Sequence, residues 1–340
     1  MSAARQRIVL ERRRYNQWVA DQTLEDYALR FTATRARRTT FLVGNTALGA
    51  ISFLACEAIG GTVTLTFGYS NAVAAIMAVG VLMFLIGLPI SYYAAKFGVD
   101  IDLLTRGAGF GYLGSTVTSL IYASFTFLLF SIEASIMSIA LQMCLGIPLP
   151  VAHVISSLIV IPIAAYGIRI ISKLQLATQP IWLVLQFAPL IYLAFSGRNE
   201  VIEWTHYAGA RGQGDGSIDI VLFGMAASML LSLLPQIGEQ VDYLRFLPSR
   251  QPGNKIGWWT ALIATGPGWV VIGGVKLLAG SFLAFLALSN GLSPDRAVQP
   301  AELYHMAFGA FFHSPTVALV LTGLFIVTCQ IKINVTNAYA

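Results

Sequence analysis

The run from Phe41 to Phe67, FLVGNTALGAISFLACEAIGGTVTLTF, constrains this chain more than any other stretch. It exceeds the roughly 20 apolar residues that a bilayer-crossing helix needs, yet it holds one carboxylate, Glu57, followed by Gly60 and Gly61. A charge at membrane depth costs roughly 3 kcal/mol on insertion scales, so the fold must use Glu57 or satisfy it. Helix-weakening glycines beside a polar group are the pattern of a discontinuous membrane helix, and such helices bind substrate near the midplane of secondary transporters. The first expectation is a span broken near Gly60 and Gly61. Glu57 then serves a ligand or a coupled ion, or it is paired, or it points into an external vestibule.

The remaining residues set the solvent. The chain is 56% hydrophobic and 11% charged, with a mean hydropathy of +0.71, whereas a soluble domain carries about 25% charged residues. Its apolar runs far exceed the roughly 10 residues of a barrel strand, which makes it an all-α polytopic membrane protein. Eight spans are expected, over 40–67, 72–95, 115–145, 151–171, 177–195, 218–240, 257–288 and 316–340. A basic tail, 1–39, precedes a transmembrane domain, 40–340.

Charge sorts by membrane side. Of the 21 basic residues, nine lie in the tail; Lys96, Arg106, Arg169, Lys173, Arg245, Arg250 and Lys255 fall on the same side. Arg198, Arg211 and Arg296 fall on the other, and Lys276 and Lys332 lie within spans. The positive-inside rule then puts the N-terminus in the cytoplasm, with the tail against anionic lipid headgroups and no nucleic-acid partner. The polar first forty residues have no apolar signal-peptide core. Cys56, Cys144 and Cys329 read as buried free thiols.

Several patterns punctuate the chain. Thr23-Leu-Glu-Asp26 fits a capping box. Gly109-Phe-Gly111-Tyr-Leu-Gly114 matches GxGxxG, but no strand precedes it, so it reads as a glycine hinge and not a dinucleotide site. Pro235 removes a helical hydrogen bond and predicts a second broken helix in the sixth span. The seventh span contains Gly266-Pro-Gly268, and Pro300–Phe308 is an amphipathic external segment expected to lie on the outer face as a short helix. Asn334-Val-Thr336 fits a glycosylation acceptor but falls at the cytoplasmic end of a span. No Ser-His-Asp grouping is present, and His153, His206, His305 and His313 are scattered without metal-ligand spacing. The residues call for no cofactor, no metal and no enzyme chemistry.

The order of a weakened first helix, the link GVDIDLLTRGAGFGYLGS, the EQVDYLRF end of span six and the Asn334-Val-Thr-Asn337 segment resembles the nucleobase–cation symporter family of purine, pyrimidine, hydantoin and cytosine permeases. The resemblance covers about 35–340. It implies the LeuT-type inverted-repeat fold, here truncated after the eighth transmembrane helix, and a small nitrogenous, nucleobase-like ligand handled by alternating access. The segments YNQWVADQTLEDYALR and SYYAAKFGVDIDLLTRGAGFGYLGSTVTSLIYASFTF are also similar to the N-terminal permease-like module of large bacterial hybrid sensor histidine kinases. That second resemblance implies a bacterial inner-membrane sensory module, with a fused kinase or a response regulator as partner and the kinase chemistry outside these residues.

Carried onto this sequence, the family pattern puts Glu133 where members hold a substrate-binding Gln, and Leu129 where a stacking tryptophan is expected. Phe127 and Phe130 are candidate stackers, or core and lipid-facing residues. Gln236, Asn334 and Asn337 complete the substrate-binding set with Glu57 and Glu133. Lys332 stands beside the helix-eight asparagine, where members bind sodium; two positive charges about 4 Å apart repel by several kcal/mol at an effective dielectric near 20. Sodium-independent function follows, coupled to protons or uncoupled, unless Lys332 snorkels to the interface. Lys276 and Glu57 complete a candidate coupling site, and Glu133 is alternatively a partner of Lys276 or Lys332. Glu239, Asp242 and Arg245 form a candidate cytoplasmic gate, or else headgroup-level charges.

Overall fold

Thr39 opens the first helix by accepting the Leu42 amide with its hydroxyl, at 3.4 Å, as N-cap threonines do. The computed structural model describes residues 31–212 and 217–340. The Thr23–Asp26 box and most of the basic tail lie outside the described residues.

Helix α1 (Thr40–Gly49) runs into a 3-10 turn (Ala50–Ser52), and after Phe53 and Leu54 the chain resumes as α2 (Ala55–Phe67), bent by 46°. The first span is thus broken, but before Glu57 and not at Gly60 and Gly61. Those glycines sit inside α2 and serve packing. A Cβ on Gly60 would lie 2.0 Å from the Leu277 carbonyl oxygen, and one on Gly280 2.1 Å from the Glu57 carbonyl oxygen. Small residues let membrane helices approach backbone to backbone, and here they fuse α2 to the helix that carries Leu277 and Gly280.

The second span, α3 (Tyr69–Phe97), tolerates Pro89 and ends at Gly98 in the left-handed conformation (φ 68°). Asp100 caps α4 (Ile101–Thr105) through the Leu103 amide at 2.7 Å. A π-type turn (Arg106–Phe110) with Gly109 at φ 115° then leads into α5 (Gly111–Leu145). The expected span 151–171 is divided: two short helices, α6 (Leu149–Leu158) and α7 (Ile161–Ala165), are followed by α8 (Ile168–Ser196), which takes up residues 168–171. Helix α9 (Arg198–Thr205) covers the far end.

The second half repeats the opening. Asp219 caps α10 (Ile220–Leu231), the chain tightens into three-residue turns over 232–235, and α11 (Gln236–Leu244) follows. Pro235 at this break cannot donate its nitrogen to the ladder. The seventh span divides at Gly266-Pro-Gly268 into α12 (Lys255–Thr265) and α13 (Trp269–Ser289). Helix α14 (Pro300–Phe312) lies across α15 (Pro315–Tyr339), which packs along α5. Among the described residues six helices are long and apolar enough to cross a membrane, seven counting the bent pair; Leu149–Ala165 is a shorter apolar helical stretch.

Candidate functional site

The break in the first span leaves backbone groups on both sides without helical partners, and buried groups of this kind must find others. At the start of α2, the Leu54 and Ala55 amides donate to the two carboxylate oxygens of Glu133, at 3.1 and 2.9 Å. Glu133 reaches them from the middle of α5 and is fully buried. At the end of α1, the Phe53 and Ile51 carbonyls accept from the Lys276 ammonium at 2.6 and 3.2 Å. Helix dipoles favour this arrangement, an anion at an N-terminus and a cation at a C-terminal end.

Glu57 completes the group. Its Oε1 lies 3.6 Å from Lys276 Nζ and accepts from Gln186 at 2.9 Å and from the Tyr304 hydroxyl at 3.1 Å. Gln186 also donates to Tyr304. Glu57 Oε2 has no partner among the described residues. The Lys276 ammonium is 5.6 Å from the Phe53 ring centre and 5.9 Å from that of Trp182.

Lys332 faces the same indole from another side, 5.6 Å from its centre. Its ammonium donates to Gln175 at 2.5 Å, Gln179 at 2.9 Å and Thr178 at 3.2 Å, all on α8. It therefore sits against α8, while Lys276 meets the α1 carbonyls. No carboxylate lies within ion-pair distance of Lys332 Nζ among the described residues.

Gln236, Asn334 and Asn337 gather elsewhere, where α11 meets α15. Glu239 accepts from Gln236 and, at 3.2 Å, from the Tyr243 hydroxyl, and it lies beside Thr336. Asn337 donates to Asn334 at 3.3 Å. Gln236 Oε1, Asn334 Nδ2 and Asn337 Oδ1 are buried without partners among the described residues. Phe130 joins neither group; it packs with Val160, Ile171 and Val335. Phe127 is 72% exposed on the helix surface, and Leu129 is core.

Toward the basic end, Asp242 accepts from Tyr122 at 3.0 Å and from the Ile101 amide at 3.4 Å. Arg245 pairs with Asp100 at 3.4 Å and donates to the Tyr339 hydroxyl at 3.0 Å and to the Asp242 carbonyl at 3.1 Å. Residues 32–38 strap this end: Thr32 donates to Gly98, Arg38 to Phe246, and Arg37 to Leu247 and Ala95. Burial of the Arg37 guanidinium pushes its pKa down, because a charge leaves water there.

No family model matches the chain, and no curated protein does. Among solved structures it is similar to MHP1, a nucleobase-cation-symport-1 family transporter in a closed conformation with bromovinylhydantoin bound. The likeness has a TM-score of 0.54 at 15% identity and covers 90% of this chain and 73% of that one. The chain has the LeuT-type transporter fold. In LeuT-type terms the broken first span and the broken α10–α11 element hold corresponding places in the two inverted halves.

The sequence reading missed Trp182, Gln186, Gln175, Gln179, Tyr304, Asp100 and Tyr122. One signal was available. Gln175, Gln179, Trp182 and Gln186 recur at spacings of four, three and four, which is one face of a helix in an otherwise apolar span.

Proposed function

We propose that this chain is a transporter-like membrane domain that recognises a small, uncharged, nucleobase-like nitrogenous compound by alternating access and without sodium. The observation that carries the reading is the set of buried, unpartnered amide atoms on Gln236, Asn334 and Asn337. Amides offer donors and acceptors in one plane, which suits the lactam edge of such a ring, and buried polar atoms of this kind are rarely left unmatched. Both ends of the first-span break are already met by charges of the chain itself, which favours a ligand without formal charge. The basic-residue distribution supports a cytoplasmic N-terminus, and the resemblance to bacterial sensor modules favours a bacterial inner membrane.

Thermal unfolding of the purified chain with uracil, cytosine, adenine or hydantoin, in sodium and in choline salts, tests the reading. One of these compounds should raise the midpoint equally in both salts, and Gln236→Ala and Asn334→Ala should each remove the rise. A rise that survives both substitutions, or that needs sodium, rejects it.

A second reading, the sensory input module of a hybrid histidine kinase, is favoured by the strap at 32–38, which ties the basic end of the bundle to the chain preceding it. Ligand binding without translocation in proteoliposomes supports that reading over transport.

A further inference from the structure

The polar groups that cage the Lys276 ammonium are all oxygens: the Phe53 carbonyl at 2.6 Å, the Ile51 carbonyl at 3.2 Å and the Glu57 carboxylate at 3.6 Å. All of these groups are buried, and two are backbone carbonyls of the 3-10 turn and its cap, where the first span breaks. Unwound carbonyls at a half-helix end are the donors with which discontinuous membrane helices hold a free monovalent cation. A single carboxylate among neutral oxygens also suits a hard, singly charged ion. We infer that the Lys276 ammonium is a tethered cation, filling from α13 a latent monovalent-cation site at the end of α1. Glu133 is its counterpart, a tethered anion on the amides that open α2. Both ions at the broken span are thus tethered covalently to neighbouring helices, α13 and α5, and its geometry needs none from solution.

The inference rests on the sodium-independent reading above but on no particular ligand. It predicts that the cage becomes a sodium site once the ammonium is removed. Glu57 would then be left buried without its ion-pair partner, and a small cation can take the space of the lost side chain.

The test is thermal unfolding of the full chain in sodium chloride against choline chloride at equal ionic strength. Wild type should show the same midpoint in both. Lys276→Ala should melt lower than wild type in choline and recover by about 5 °C in saturating sodium. Lys276→Ser, which leaves a hydroxyl oxygen in the cage, is made in parallel. Adding Glu57→Gln to either should abolish the sodium response. A sodium-specific rise in wild type overturns this inference together with sodium independence. If wild type is indifferent and both substitutions melt alike in the two salts, or fold in neither, the tethered-cation inference alone fails. A sodium response that survives Glu57→Gln also overturns it.

Discussion

Glu133 holds two backbone amides that no other group in the described structure serves, and its side chain is where the fold is most exposed to a single change. Removing an acceptor from buried donors costs about 1–3 kcal/mol, and more when the acceptor is charged. Glu133→Ala should destabilise the protein by about 3 kcal/mol in thermal unfolding, and Glu133→Gln by clearly less, since one carbonyl oxygen remains. Equal losses would remove the capping role. Glycines give the complementary case. Gly60→Ala and Gly280→Ala each drive a Cβ into backbone of the facing helix, which has no rotamer with which to yield, so each should cost about 2–3 kcal/mol. Gly80→Ala meets nothing within 4 Å and should be neutral or stabilising by up to about 1 kcal/mol. Glu57, Glu133, Lys276 and Lys332 were legible as membrane-depth charges because so few such residues occur. Which lysine meets the α1 carbonyls was not legible, since that depends on the register of α13 and α15 against α1. The site of the break was hidden for a different reason. Ala50-Ile-Ser-Phe-Leu54 holds no glycine or proline, and side chains from α5 and α13 stabilise the unwound backbone.

At the scale of elements, helix breaks fall into two kinds. Those at Pro235 and at Gly266-Pro-Gly268 are written locally, and the sequence reading placed the one at Pro235; the first-span break is written by tertiary contacts. Helix α8 supplies a polar stripe whose Gln175 both donates to the Lys332 carbonyl and accepts from its ammonium. The end of α3 offers a sharper test. Gly98 is left-handed, and a Cβ there would stand 2.4 Å from Arg37 Nη2. Gly98→Ala should therefore strain the backbone by about 1–2 kcal/mol and dislodge the 32–38 strap. Trypsin should then cut at Arg37 and Arg38 faster than in wild type, and an unchanged rate would show that the strap does not depend on this approach.

For the whole molecule, the polar groups form a chain through the bundle: Glu57, Lys276 and Glu133 at the first break, Glu239 and the amides at the second, then Asp242, Arg245 and Asp100 near the basic end. Arg245 and Asp100 pair near that end, joining the end of α11 to the link after α3. Losing one partner of a buried pair leaves an uncompensated charge. Asp100→Asn and Arg245→Ala should each raise the rate at which a water-soluble maleimide modifies a cysteine placed at Thr336. Rates no faster than in the cysteine variant alone would show that this pair does not close the basic end. The long apolar helices were readable from hydropathy, while the pairing of Arg245 with Asp100 joins residues 145 apart and left no local trace.

The Lys276 cage has one more consequence, and it concerns work. A carrier that picks up sodium on one face and releases it on the other can use the gradient to concentrate its cargo. An ammonium fixed to α13 cannot leave with the cargo and dissipates no sodium gradient. On the tethered-cation proposal, sodium has no place in this cage from which to drive accumulation. Without another coupled ion, the ligand would only approach equal activity on the two sides, and the occupancy of the site would follow its concentration.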